Sequence, residues 1–312
     1  MHRSFIFLLL AVSLASPLRA QKEICITIDD LPTVSSVYRT PGGKDSLTRR
    51  LLTQLRQYTV PAIGFVVGQQ LLTDGQVDQR QMNLLTQWLN AGMELGNHTL
   101  AHKGYNAISA VAYQQDVLGG EAFVKPLVEQ AGKQFRYFRH PFLHRGNSAG
   151  KQDSLRQFLS ARGYQEAPVS IDNSDYLFSA AYDKALLRND TALASRIGSE
   201  YVTYMVATVR YYEAQADSLF GRPIRHVLLT HANTINSFYL GKLLAQLQTD
   251  GYRFVSLDRV LADEAYRSTD RYVGNAGISW IHRWALTQGK KGAFFAGEPE
   301  VPAYISALVD QR

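Results

Sequence analysis

The sequence predicts an α/β protein, a distorted β/α barrel of about seven strands. Three observations predict it. Seven short apolar runs rich in β-branched and aromatic residues recur along the chain, and stretches of helical spacing separate them. Polar residues capable of chemistry sit at or just past the C-terminal ends of those runs. Near-continuously apolar strands that alternate with helices imply a parallel sheet buried on both faces. In a closed barrel all C-terminal strand ends converge on one face, whereas a doubly wound sheet gathers only those beside its switch point. No Gly-rich GxGxxG follows a strand, which counts against a dinucleotide fold.

Composition sets the outer bounds. With 312 residues, 46% of them hydrophobic and 19% charged, the chain has the material for a full core, which excludes disorder, collagen and coiled coil. Its length alone allows either two domains or one barrel. The net charge of +6 is dispersed, so the surface is mildly cationic and a nucleic-acid partner is not expected. Cys25 is the single cysteine, so no intrachain disulfide and no Cys pair for a metal can form. Any metal must rest on histidines and carboxylates.

At the start of the chain, His2 and Arg3 precede an apolar run from Phe5 to Ala15, and the stretch Ser16 to Ala20 ends on a small residue. This is the pattern of a signal peptide over residues 1–20, with processing near Gln21 and export to the periplasm or the medium. The run is too short to span a bilayer, and no later stretch reaches that length, so no integral membrane segment is expected after its removal.

The first strand, Ile24–Ile28, runs straight into Asp29 and Asp30. Leu47, Leu51, Leu52 and Leu55 then mark one helix, Ala62–Val67 a second strand, and Leu84, Leu85, Trp88 and Leu89 a second helix. Met93–Gly96 leads to His98, Phe135–Phe138 to Arg139, and Ala167–Ile171 to Asp172. About fifty residues separate Tyr176 from the next strand, more than one crossover needs. Asn189-Asp190-Thr191 reads as a cap, and the apolar spacing from Leu193 to Val209 continues toward a stop near Gly221, so a long extra helix is expected against the barrel, with its tyrosines packing. His226–Leu229 leads to His231, and Arg253–Leu257 closes the set. We therefore expect a catalytic domain over 21–264 with a helical insertion around 177–225. The extension at 265–312, with Trp280, Trp284, Phe294 and Phe295, should cap the barrel.

The chemistry gathers around two histidines and two acids. His98 and His102 stand at i and i+4, the spacing at which two imidazoles share one helix face and can grip one ion. Two adjacent acids, Asp29 and Asp30, repel each other unless a cation or a role compensates, and with one of them on a metal the other is left to move a proton. His140 and His144 repeat the spacing, but Pro141 between them places that pair in a loop.

These residues resemble the polysaccharide deacetylases of the NodB-homology type, also called carbohydrate esterase family four. Thr27-Ile28-Asp29-Asp30 is similar to the first motif of that family, and Asn97-His98-Thr99-Leu100-Ala101-His102 to the second. Arg139-His140-Pro141-Phe142 is similar to the third, Asp172-Asn173-Ser174-Asp175-Tyr176 to the fourth, and Leu229-Thr230-His231 to the fifth. All five occur in order.

The resemblance implies a NodB-type barrel with a divalent metal, usually zinc, held by Asp30, His98 and His102. It implies Asp29 as general base and His231 as general acid, with Asp175, or else Asp172, orienting His231. Arg139 would brace the groove and pair with Asp29. Phe142, whose backbone N–H would face the oxyanion, Tyr176 and Leu229 would contact substrate, an acetylated polysaccharide or oligosaccharide. Opposite protonation of Asp29 and His231 implies a bell-shaped pH profile. Phe142 stands where the family has tyrosine, Tyr176 where it has tryptophan, and Leu31 where glycine is common. A small amide or imide substrate, a binding protein that retains the motifs, and an iron oxygenase built on two histidines and a carboxylate remain the alternative readings.

Overall fold

The computed structural model describes residues 21–310, so the expected signal peptide lies outside the described residues. Strand β1 (Lys22–Val34) lies inside the sheet; Ile24, Ile26 and Ile28 on one face and Cys25 and Thr27 on the other are fully buried, as a strand covered on both faces requires. Helix α1 (Pro41–Gln57) starts where Thr40 accepts from the Gly43 N–H and Pro41 presets the first turn, and it buries Leu47, Leu51, Leu52 and Leu55. Each such leucine contributes about 1.5–3 kcal/mol on leaving water, and Leu51→Ala would cost about 2–5 kcal/mol.

Strand β2 (Ile63–Val66) precedes a small antiparallel hairpin, β3 (Leu72–Thr73) and β4 (Gln76–Val77), that the sequence pattern did not reveal. Helix α2 (Gln79–Asn90) buries Leu84, Leu85, Trp88 and Leu89 and leads to β5 (Glu94–Asn97). Then follow α3 (Ala110–Gln130), β6 (Tyr137–Phe138), α4 (Ala149–Ala161) and β7 (Gln165–Glu166). The long interval folds as two helices, α5 (Asp175–Leu187) and α6 (Thr191–Phe220). Helix α6 is the expected long one, capped by Asp190 and ended by Gly221 at φ 67°. Helix α5 was not anticipated, because its buried face carries Asp175, Ser179 and Asp183 and so lacks a clean apolar stripe. Strand β8 (His226–Asn233), α7 (Thr234–Thr249), β9 (Tyr252–Phe254) and α8 (Leu257–Leu261) complete the barrel region, and α9 (Trp280–Thr287) and α10 (Ala303–Asp310) follow.

The parallel sheet runs β7-β6-β5-β2-β1-β8. Its two ends meet where Ile171 bridges Leu228, with the Ile171 N–H donating to Val227 and the Leu229 N–H to Ile171. The sheet therefore curls almost into a ring, the α/β barrel expected from the sequence, with two differences in detail. The stretch Ala167–Ile171 is not a regular strand: ladder pairing ends at Glu166, and only Ser170 and Ile171 bond onward to β8. The last predicted strand is shorter, Tyr252–Phe254, and pairs only with the first residues of β1, so it props the bottom of that strand and is not a stave of the ring. Trp280, at the head of α9, donates its N–H to the Val169 carbonyl and anchors the C-terminal segment to the barrel. No helix among the described residues is long and apolar enough to cross a membrane.

Candidate active site

Two adjacent residues of a regular strand point to opposite faces, so Asp29 and Asp30 should diverge. They do not, because β1 is irregular there. Asp30 has φ 63°, and the register with β2 shifts between Ile28 and Leu31, while that with β8 shifts between Asp29 and Val34. This bulge turns both carboxylates into one cleft of about 550 Å³, whose wall also includes His98, His102, Phe142, Tyr176, Leu229 and His231.

The two histidines reach the cleft by a route the spacing did not foretell. They lie on no helix. His98 leaves the end of β5, and Thr99 and His102 both have positive φ, 65° and 52°, so a tight loop brings the rings 4.8 Å apart. The loop is tied from below: the Asn97 side chain accepts from the Thr99 N–H, the Thr99 hydroxyl accepts from the His102 N–H, and Asp116 of α3 accepts from the Ala101 N–H. Gly120 lets α3 come this close; a Cβ there would lie 2.7 Å from both Asn97 Oδ1 and the Thr99 carbonyl carbon.

One oxygen of Asp30 faces both rings, 3.6 Å from His98 Nε2 and 3.3 Å from His102 Nε2. That oxygen is buried with no hydrogen-bond partner. On the far side of the His98 ring, Nδ1 is 2.8 Å from the Arg139 carbonyl, which can only accept, so Nδ1 carries the proton and Nε2 presents a lone pair to the carboxylate. Burial and then the neighbouring His102 hold the His98 ring well below its ordinary pKa, which keeps it neutral. Two imidazole nitrogens and an orphaned carboxylate oxygen, with ligand atoms all within 4.8 Å of one another, could hold a divalent cation, and the types suit zinc. These residues fit a metal.

Asp29 lies beside this set, with Oδ2 3.8 Å from His98 Nε2 and Oδ1 unpartnered. Arg139, completely buried, places Nη1 3.6 Å from Asp29 Oδ2 and donates through Nη2 to the Thr27 hydroxyl. Burial pushes the Asp29 carboxyl up to about 6, against the pull of Arg139 and His231. Thr27 in turn donates to the Leu228 carbonyl, so the guanidinium is fastened to the backbone of β8.

Across the cleft, His231 comes from β8. Its Nδ1 is 2.6 Å from Asp175, which also accepts from the His231 backbone N–H and from the side chains of Asn233 and Asn236. Burial disfavours the charged imidazole, but the Asp175 carboxylate outweighs it and raises the group to about 10. Of the two acids in that motif, Asp175 and not Asp172 holds the histidine. Asp172 instead accepts from the Asn173 N–H, and burial raises its carboxyl to about 6. Asn173 braces the segment, donating to the Leu229 carbonyl and accepting from the Asp175 N–H.

Phe142 sits in a turn at φ 57°, its ring edge-on to His102 at 4.6 Å, and both it and Tyr176 are more than half exposed. The His140–His144 pair stays in this loop, His140 tied to Glu166 at 2.7 Å. The residues sequence reasoning missed are the bracing ones: Asn97, Asp116, Asn173, Asn233, Asn236 and Asp183. For Asp183 a signal existed, since Asp175, Ser179 and Asp183 repeat every four residues.

Residues 18–166 match the family model described as polysaccharide deacetylase. The match includes Asp29, Asp30, His98, His102, Arg139 and Phe142 and ends before α5. Over 145 residues the chain is 28% identical to a peptidoglycan-N-acetylglucosamine deacetylase of Bacillus cereus, a match covering 46% of this chain and 55% of that relative. The chain thus spans about half the length of the curated relative it matches. Among solved structures it is similar to a peptidoglycan N-acetylglucosamine deacetylase, with TM-score 0.50 and 19% identity over 77% of this chain and 88% of that one. It is equally similar to a mutant of a CE4 family pseudoenzyme, with TM-score 0.50 and 14% identity over 78% of this chain and 68% of that one. These two likenesses establish the fold.

Proposed function

We propose that this protein is an exported, metal-dependent deacetylase that hydrolyses N-acetyl or O-acetyl groups on a polysaccharide or oligosaccharide. The observation that carries the reading is the division of one cleft: Asp30, His98 and His102 beside Asp29 on one wall, and His231 backed by Asp175 on the other. Zinc held by Asp30, His98 and His102 would supply Lewis-acid polarisation of the acetyl carbonyl and activation of water.

The chain's own residues do the rest. Asp29, steadied by Arg139, takes the proton of the attacking water. The N–H of the Phe142 turn faces the oxyanion of the tetrahedral intermediate. His231, kept protonated by Asp175, gives its proton to the departing sugar amine or alkoxide as the carbon–heteroatom bond breaks. Tyr176 and Leu229 form the sides against which the sugar rests. Because some relatives with this fold are pseudoenzymes, retention of both acids and of His231 supports an active enzyme here.

The test is acetate release by the zinc-loaded protein from chitooligosaccharides, peptidoglycan and acetylated xylan, with a chelated control. Release abolished by chelator and restored by zinc is expected. With metal bound, no release from any of the three would overturn the reading in favour of a small amide substrate or a binding role.

A further inference from the structure

The cleft does not end at the reacting groups. One arm of it runs along α5 to the end of β1, between Tyr176, Ala180 and Asp183 on the helix and Val34, Ser35 and Ser36 on the strand side. Tyr176, Ala180 and Asp183 stand at i, i+4 and i+7, so one helix face presents an exposed ring, a small residue and then a carboxylate along the arm. Asp183 is 3% exposed. Its Oδ2 is anchored by the Ser36 N–H at 2.6 Å and the Ser35 hydroxyl at 3.4 Å, and Ser35 is itself held by the Thr234 hydroxyl at 2.7 Å. Its Oδ1 is buried and has no partner among the described residues.

A carboxylate fixed through one oxygen and left unmatched at the other is unusual in a wall that nothing else explains. Desolvating that oxygen costs free energy unless a donor meets it, and the residue takes no part in the chemistry derived above. The ring of Tyr176 offers a flat apolar surface of the kind that a sugar face covers, and Ala180 leaves room between ring and carboxylate.

Building on the proposed deacetylase reading, we infer that this arm is a subsite for a sugar unit adjoining the one whose acetyl group is removed, and that Asp183 selects it by accepting from a ring hydroxyl. Asp183 is thus a specificity residue for extended substrates, supplied by a helix outside the stretch that matches the family model.

The experiment compares N-acetylglucosamine with its β-1,4-linked tetramer on the zinc-loaded protein and on Asp183→Asn. The ratio of kcat/KM for tetramer over monomer should fall about tenfold, the loss of one hydrogen bond to a charged acceptor. Ala180→Phe, which fills the arm without touching the carboxylate, should lower the same ratio and stands in if Asp183→Asn does not fold. An unchanged ratio in both variants overturns the inference. Calorimetric binding of the tetramer in an Asp29→Asn background separates this inference from the activity itself: about tenfold weaker binding with Asp183→Asn supports the subsite even if no sugar yields acetate, and equal or absent binding sinks it.

Discussion

His98 Nδ1 lies 2.8 Å from the backbone carbonyl of Arg139, the residue whose side chain pairs with Asp29. One residue therefore fixes the tautomer of a proposed metal ligand with its backbone and holds the neighbouring carboxylate with its guanidinium. His98→Ala should lose both metal and turnover. Asp29→Asn, which keeps the size of the side chain, should retain metal and lose a factor on the order of 10²–10⁴ in kcat. Metal content by mass spectrometry after dialysis, alongside acetate release, checks both; an active Asp29→Asn protein would refute the assigned base.

Asp175 raises the His231 imidazole to about 10 against the opposing effect of burial. Without that charge burial is opposed only by the carboxylates of Asp30 and Asp29, so in Asp175→Asn the imidazole should titrate well below about 10. An NMR titration of the ring would show the drop, and kcat should fall on the order of 10²–10⁴. An imidazole that still titrates high would remove Asp175 from this role.

Far from the cleft, Glu23 is buried at the start of β1 beneath Arg225, Arg253 and Arg259, with Arg225 Nε at 2.6 Å and Arg259 Nε at 3.0 Å. Burial raises its carboxyl, but the arginine hydrogen bonds outweigh that and lower it from 4.5 to about 2. A folded-state pKa below the unfolded one gives stability that is complete above pH 4.5 and fades as the pH falls toward 2. Glu23→Gln should destabilise by about 1–3 kcal/mol at neutral pH, the lower part of the range because Arg253 and Arg259 are half in solvent. Urea unfolding at a series of pH values should show the two proteins converging in acid.

Gly120→Ala would place a methyl group 2.7 Å from the Asn97 side chain and the Thr99 backbone. Overpacking of this kind costs about 1–3 kcal/mol. Since the same contact shapes the His98–His102 loop, zinc affinity should drop about 10–100-fold, as for other supports behind a metal ligand. Calorimetric zinc titration measures it, and wild-type affinity with only a lower Tm would confine Gly120 to packing.

The strand and helix rhythm was legible because apolar periodicity reports burial directly: Ile24, Ile26 and Ile28, and Leu47, Leu51 and Leu55, are all fully buried. The residues of the proposed metal set were legible as types at a spacing, but the geometry that joins them was not. A bulge at Asp30 and positive φ at Thr99 and His102 depend on register shifts and on α3 packing from 20 residues away in sequence, at Asn97 and Val117. Helix α5 escaped notice for a related reason: Asp175, Ser179 and Asp183 look like a solvent face until His231 of β8, Ile235 of α7 and Ser36 just after β1 supply their partners.

The closure between Ile171 and Leu228 has a consequence for how the two walls of the cleft are built. Asp30 belongs to β1 and His98 directly follows β5, strands that lie inside the sheet and are flanked by strands on both sides. His231 and Asp175 belong to the segments that meet at the seam, where the ladder narrows to the bonds of Ser170, Ile171 and Leu229. Local opening follows the weakest ladder. Asp175 thus stands just past the joint where the ring would part first, whereas His231 is held from the other side by the ladder that pairs β8 with β1 as far as Asp29.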